Sequence, residues 1–136
     1  MESSYPREVL TSWITQASLN RKSAWHHLGD QLWFRGQADR HDGWAGMELW
    51  GRLDSCGSDE LISAFSTLLD ADVTSIDIDI GDISMLDTSS TRSLAITARS
   101  AEARGGRLRV RNATGSVAMT LESIGLGRLL LPPNHT

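Results

Sequence analysis

Residues 75–80 read Ser-Ile-Asp-Ile-Asp-Ile, an unbroken alternation of apolar and polar side chains. Successive side chains of a strand point to opposite faces, so Ile76, Ile78 and Ile80 share one face and Asp77 and Asp79 the other. The chain must therefore supply a core for three isoleucines and partners for two carboxylates. Helical periods stand on both sides of this strand. Upstream, Leu61, Ile62, Phe65, Leu68 and Leu69 fall on one helical face. Ser58 precedes that run, Asp59 and Glu60 open its first turn, where the helix dipole favours anions, and it should end near Asp70. Downstream, Asp87-Thr88-Ser89-Ser90-Thr91 is rich in helix-capping residues. It predicts a helix running to about Arg104, where Gly105-Gly106 stops it.

The remaining segments complete an α/β pattern. Residues 31–36 and 46–53 are short apolar stretches, and Asp42-Gly43 between them is a turn signal, so they read as two antiparallel strands joined by a loop over residues 37–45. Leu108-Arg109-Val110-Arg111 alternates as a strand. Ser116 opens a last helix with Val117, Leu121 and Ile124 at helical spacing, stopped by Gly125, and residues 129–131 form a final edge strand or turn. The order is β-β-α-β-α-β-α: a mixed sheet with an N-terminal antiparallel strand pair, followed by alternating helices and strands whose sheet connections are parallel. Residues 1–29 stand apart as an extension. Pro6 suits a helix start, and Val9, Leu10, Trp13, Ile14 and Ala17 are spaced for a short amphipathic helix over residues 6–19. The main domain covers residues 30–132 and a tail residues 133–136.

The chain has 136 residues, 40% hydrophobic and 22% charged, which fits one folded domain with a single core. It has no run near the ~18 apolar residues that span a bilayer and no signal-peptide pattern at its start, so the expected location is cytoplasmic, with no membrane insertion. Cys56 is the sole cysteine. The net charge of −4 argues against direct nucleic-acid binding. That charge is unevenly spread. Residues 44–91 hold ten acids and one base, Arg52, whereas residues 92–136 hold seven arginines and two acids. Two readings follow: neutralisation within one fold, or an acidic surface near Asp87 that steers a basic partner.

Three segments resemble the STAS domain, the fold of anti-sigma factor antagonists. Gly51-Arg52-Leu53-Asp54 is similar to the family's Gly-Glu-Leu-Asp at the end of a strand. Residues 79–90, from Asp79-Ile80-Gly81 through Asp87-Thr88-Ser89-Ser90, resemble its Asp-Leu-Ser-Gly-Val-Thr-Phe-Met-Asp-Ser-Ser-Gly. Ala101-Glu102-Ala103-Arg104-Gly105-Gly106-Arg107-Leu108 matches its helix-to-strand exit. The resemblance spans roughly residues 31–131 and implies a STAS-like sheet. It also implies a non-enzymatic module whose partner is an ATP-using, serine/threonine-kinase-type anti-sigma factor. Thr88 stands at the family's phosphorylated position, with Ser89 and Ser90 as second candidates. Asp54 and Asp87 match acids around the modified residue, so Asp54, Asp87, Thr88, Ser89 and Ser90 form the implied partner surface. Ser90 replaces the family's glycine, and Thr91 an apolar residue. Thr at position 88 also resembles STAS regulatory subunits of lipid-transport ABC systems, and a non-phosphorylated scaffold in a signalling complex is a further alternative.

The local residues have a plainer reading beside this one, in which Asp87, Thr88 and Ser89 cap a helix. A phosphate at such a helix N-terminus is compatible with the fold, since free N–H groups and the positive dipole end face it. Other sites find less support. His26, His27 and Asp30 lack metal-ligand spacing, residues 77–88 fail the calcium-loop pattern, and no nucleophile–base pair or Gly-rich phosphate loop is visible, so no metal, cofactor or catalytic residue is expected. Arg107, Arg109 and Arg111 share a strand face and suit solvation or neutralisation by the acidic segment. Trp13, Trp25, Trp33, Trp44 and Trp50 crowd the first 50 residues. They serve either a core shared by the extension and the first strands, or an aromatic surface for a partner or a homodimer.

Overall fold

A computed structural model describes residues 25–130, apart from residues 30, 40 and 114. The expected helix over residues 6–19 and the tail 133–136 lie outside the described residues. Five strands form one sheet in sequence order: β1 (His26–Gly29), β2 (Leu32–Asp39), β3 (Trp44–Leu53), β4 (Ser75–Leu86) and β5 (Arg107–Arg111). The β1–β2 and β2–β3 pairs are antiparallel, while β3–β4 and β4–β5 are parallel, as the helices between them require. Those connections are α1 (Ser55–Asp70) and α2 (Thr88–Ala103). Helix α3 (Gly115–Ser123) and a 3₁₀ turn (Gly127–Leu129) follow, and Leu130 then forms a parallel bridge to Val110.

Both parallel crossovers step the same way across the sheet, and crossovers of this kind are right-handed, so α1 and α2 fall on one face. The burial pattern agrees. Ile76, Ile78 and Ile80 pack with Phe34, Met47 and Val110 from neighbouring strands, with Leu61, Phe65 and Leu68 of α1, and with Leu94, Ala98 and Ala101 of α2 in one core. Strand β2 shows the two faces residue by residue: Leu32, Phe34, Gly36 and Ala38 are buried, and Trp33, Arg35, Gln37 and Asp39 are half-buried on the other side. No described helix covers that second face.

Several boundaries differ from the sequence pattern. The sheet takes in His26–Gly29, ahead of residue 30, because His26 and His27 pair with Phe34 and Trp33. The β2–β3 connection is tighter than residues 37–45, since the strands run on to Asp39 and resume at Trp44. Gly43 makes this turn possible at φ +68, and its carbonyl accepts from the N–H groups of Thr74 and Ser75. Helix α1 starts one turn before Ser58, because Asp54 rather than Ser58 is its cap. Ser58 is buried within the helix and donates to the Ser55 carbonyl at 3.2 Å, and Asp59 and Glu60 fall in the second turn. Strand β4 continues past Ile80 to Leu86, with its pairing to β3 shifted between Glu48 and Trp50 and again between Gly51 and Arg52. Ile124 is exposed beyond the end of α3 rather than packed with Leu121.

Candidate functional site

Strands β3 and β4 end side by side, with Leu53 the register partner of Leu86. Each is followed by one aspartate and then a helix. Asp54 (φ −105°, ψ −170°) accepts the Gly57 N–H at 3.1 Å and caps α1; Asp87 (φ −93°, ψ 177°) accepts the Ser90 N–H at 2.9 Å and caps α2. Both are extended residues whose carboxylates satisfy a donor that the first helical turn leaves free. Two adjacent helix N-termini, each with its cap carboxylate, therefore open on the same edge of the sheet.

The two caps are stitched together. The Asp87 N–H donates to the Leu53 carbonyl at 3.3 Å. The Ser90 hydroxyl donates to the same carbonyl at 2.7 Å and lies 3.3 Å from the Asp54 carbonyl. Within α2, Ser89 donates to Asp87 Oδ1 at 3.0 Å, Thr91 to the Thr88 carbonyl at 2.7 Å and Ser93 to the Ser89 carbonyl at 3.0 Å. Burial tends to raise the Asp87 pKa, but hydrogen bonds from Ser90 and Ser89 outweigh it and hold the carboxyl below its ordinary range. Asp87 is thus an anion whenever Thr88 is presented near neutral pH.

Thr88 differs from its neighbours. It is the first residue of α2 and is exposed, and among the described residues no hydrogen bond occupies its hydroxyl. Ser89 is half-buried and engaged with Asp87. Ser90, expected as a further acceptor and partner-surface residue, does not lie on the surface: it is 0% exposed and its hydroxyl is bonded to β3. Burial also accounts for Thr91, whose hydroxyl is satisfied inside its own turn. The structure thus gathers Asp54, Asp87, Thr88 and Ser89 at one rim and places Ser90 beneath it as a tether. Sequence reasoning counted Ser90 as a surface hydroxyl because capping clusters carry no sign of which member faces inward.

The charge asymmetry divides in two. On the face that no described helix covers, Asp77 takes a bidentate contact from Arg109 at 2.8 and 3.1 Å, a hydrogen bond from Trp44 Nε1 at 3.1 Å and an ion pair from Arg111 at 3.6 Å. Burial acts to raise the Asp77 pKa, and these partners overcome it and lower it. This is neutralisation within the fold, and only Trp44 lacked a sequence signal. Asp54 and Asp87 have no ion pair among the described residues, so the rim keeps its negative charge. Arg52, the one base of that acidic segment, is exposed at the end of β3 and its Nη2 donates to Met85 Sδ at 3.1 Å. Among the described residues no cluster of three metal-ligating side chains occurs, and His26 and His27 point to opposite faces, against Phe34 and Trp33. Among them, too, no helix is long and apolar enough to cross a membrane.

The family profile described as Mlab, STAS domain matches residues 37–132. The chain belongs to the STAS family. The anti-sigma factor antagonist SpoIIAA in its unphosphorylated form superposes on this STAS domain with a TM-score of 0.61 at 25% identity, over 65% of this chain and 77% of that one. The phosphorylated form of SpoIIAA, a Bacillus cell fate determinant, gives 0.57 at 23% identity, over 65% and 81%. The murine anion transporter Slc26a9 gives 0.57 at 13% identity, over 94% of this chain and 23% of the transporter, a likeness of fold alone. No curated protein matches the chain.

Proposed function

We propose that this STAS domain is an anti-sigma factor antagonist that docks a kinase-type anti-sigma factor through the rim of Asp54, Asp87, Thr88 and Ser89, and that phosphorylation of Thr88 releases it. The observation that carries this reading is the one free, exposed hydroxyl in a cluster where every other hydroxyl is bonded. Likeness to SpoIIAA supports the partner class. A phosphate on Thr88 adds about −1.5 to −2 charge beside two carboxylates that no arginine among the described residues neutralises. It lies at a helix N-terminus, which accommodates an anion, so the fold is kept while the rim's potential and shape change. The setting is a cytoplasmic one, and the protein acts by binding, not catalysis.

Paired Thr88→Ala and Thr88→Glu baits in host lysate, read by mass spectrometry, test the proposal. A soluble kinase-like protein held by the alanine bait and released by the glutamate bait is the expected result. The same partner on both baits reduces Thr88 to a surface residue of the helix start. Threonine at position 88, together with the Mlab family profile, favours a second reading as the STAS regulatory subunit of a lipid-transport ABC system; there the captured partner is a membrane-associated ATPase and Thr88 is a contact residue.

A further inference from the structure

The face of the sheet that no described helix covers is polar at its β4–β5 end and aromatic at its β1–β3 end. Trp33 and Trp50 are register partners across β2 and β3, and with Trp25 they line an open cavity. Trp50 is 51% exposed. His27 stacks edge-on against Trp33, and the Arg35 guanidinium lies 4.5 Å from the Trp25 ring centre while its Nε donates to Glu48 at 2.6 Å. Trp25 is therefore pinned to this face.

What lies upstream is a segment with the complementary need. Residues 6–19 carry Val9, Leu10, Trp13, Ile14 and Ala17 at helical spacing, and a helix of that length is marginal in water without an apolar support. Its length of about 21 Å fits along β2, whose eight residues extend roughly 27 Å. Residues 20–24 reach at most about 17 Å, enough to fold back over the adjacent strands. Attachment through so short a linker gives an effective concentration in the millimolar range, which a free partner or second copy must exceed.

We propose that the tryptophan face is the docking surface for this chain's own residues 6–19, with Val9, Leu10, Trp13 and Ile14 laid on Trp33 and Trp50. The five tryptophans then divide by role: four build this contact, and Trp44 holds Asp77 on the same face. The site is separate from the Thr88 rim, so it stands whatever the partner there.

The test uses the full chain with Cys56→Ser and Thr15→Cys, a nitroxide on the new thiol, and the indole N–H signals of Trp33 and Trp50 in ¹⁵N spectra. Both signals are expected to lose intensity when label and isotope are in one molecule, and to keep it when labelled and isotopic molecules are separate but mixed. Loss in the mixture as well overturns the proposal in favour of a second copy; no loss in either overturns it outright. Ile14→Asp in the labelled chain is expected to restore both signals, and persistence of the loss refutes apolar docking. The Trp44 indole signal, bonded to Asp77, reports an intact fold throughout. Should Cys56→Ser disturb it, Cys56→Ala serves in its place.

Discussion

Replacing Ser90 with alanine removes one hydroxyl from the seam between the two capped helices. That hydroxyl is fully buried and donates to the Leu53 carbonyl at 2.7 Å, with the Asp54 carbonyl at 3.3 Å. Neither carbonyl is orphaned by its loss. Leu53 still accepts from the Asp87 N–H at 3.3 Å, and Asp54 from the Ser58 N–H at 2.8 Å. The cost is then the net value of one hydrogen bond, about 1 kcal/mol, rather than the larger penalty of a buried group left unmade. Glycine, the residue of the family pattern, loses the same bond and adds about 0.5–1 kcal/mol for its backbone freedom in a helix. Stability should fall from wild type to Ser90→Ala to Ser90→Gly, the last by roughly 2 kcal/mol. Equilibrium urea unfolding measures this, with an unchanged slope showing that only stability has moved. An alanine variant as stable as wild type refutes the tether. A glycine variant no worse than alanine refutes the backbone contribution.

Asp87→Ala removes the α2 cap and should cost about 1–2 kcal/mol, Asp54→Ala about 1 kcal/mol; because both caps join at Leu53 and Ser90, the double variant should depart from additivity by at least about 0.5 kcal/mol in the same unfolding assay. Asp77→Asn should cost on the order of 2 kcal/mol through its charged hydrogen bonds. Its pH dependence has a definite sign. The folded pKa of Asp77 is lowered, so its stabilisation is complete above the unfolded carboxylate range near about pH 4 and is lost as pH falls through the lower folded value. Unfolding at a series of acidic pH values should therefore show a shallower acid-side loss in Asp77→Asn than in wild type. Thr88→Glu should leave stability within about 0.5 kcal/mol, measured by urea unfolding, since the residue is exposed and at a helix start; a large loss would show that Thr88 is structural.

Alternation and helical spacing were strong enough in this sequence to place the sheet and its connections. The isoleucines of residues 75–80 and Leu61, Phe65, Leu68 and Leu69 of α1 belong to long regular signals and reach the core, whereas Ile62 of the same expected face stays half-buried outside it. Boundaries were weaker wherever a side chain, not a period, decides them. Asp54 starts α1 by accepting one N–H, and nothing in the apolar spacing marks that; Ser58, an equally good capping residue, is buried inside the helix instead. The site shows the same division. Asp54, Asp87 and Thr88 were identifiable because they stand between a strand and a helix. The inward turn of Ser90 and the grip of Trp44 on Asp77 depend on contacts more than thirty residues away in sequence, and local patterning carries no trace of them.

The topology keeps the proposed switch and the proposed docking face apart in so small a domain. Parallel strands deliver their C-terminal ends to one edge, and each must there begin a helix. Two caps with free N-terminal dipoles consequently lie together without any further device. Because successive right-handed crossovers move in one direction, the described helices gather on one face and leave the other to side chains alone. Charge closes that face near β5, through Asp77 and its arginines. Near β1 the face carries Trp33 and Trp50 beside the Arg35–Glu48 ion pair, and in the docking proposed above residues 6–19 give these tryptophans apolar cover. On the proposed readings, the rim at Thr88 gains charge by modification and answers to electrostatics, whereas the tryptophan face answers to buried area. Raising the salt concentration should therefore weaken partner binding at the rim while leaving contacts on the tryptophan face in place. Binding at Thr88 that is indifferent to salt would contradict this separation.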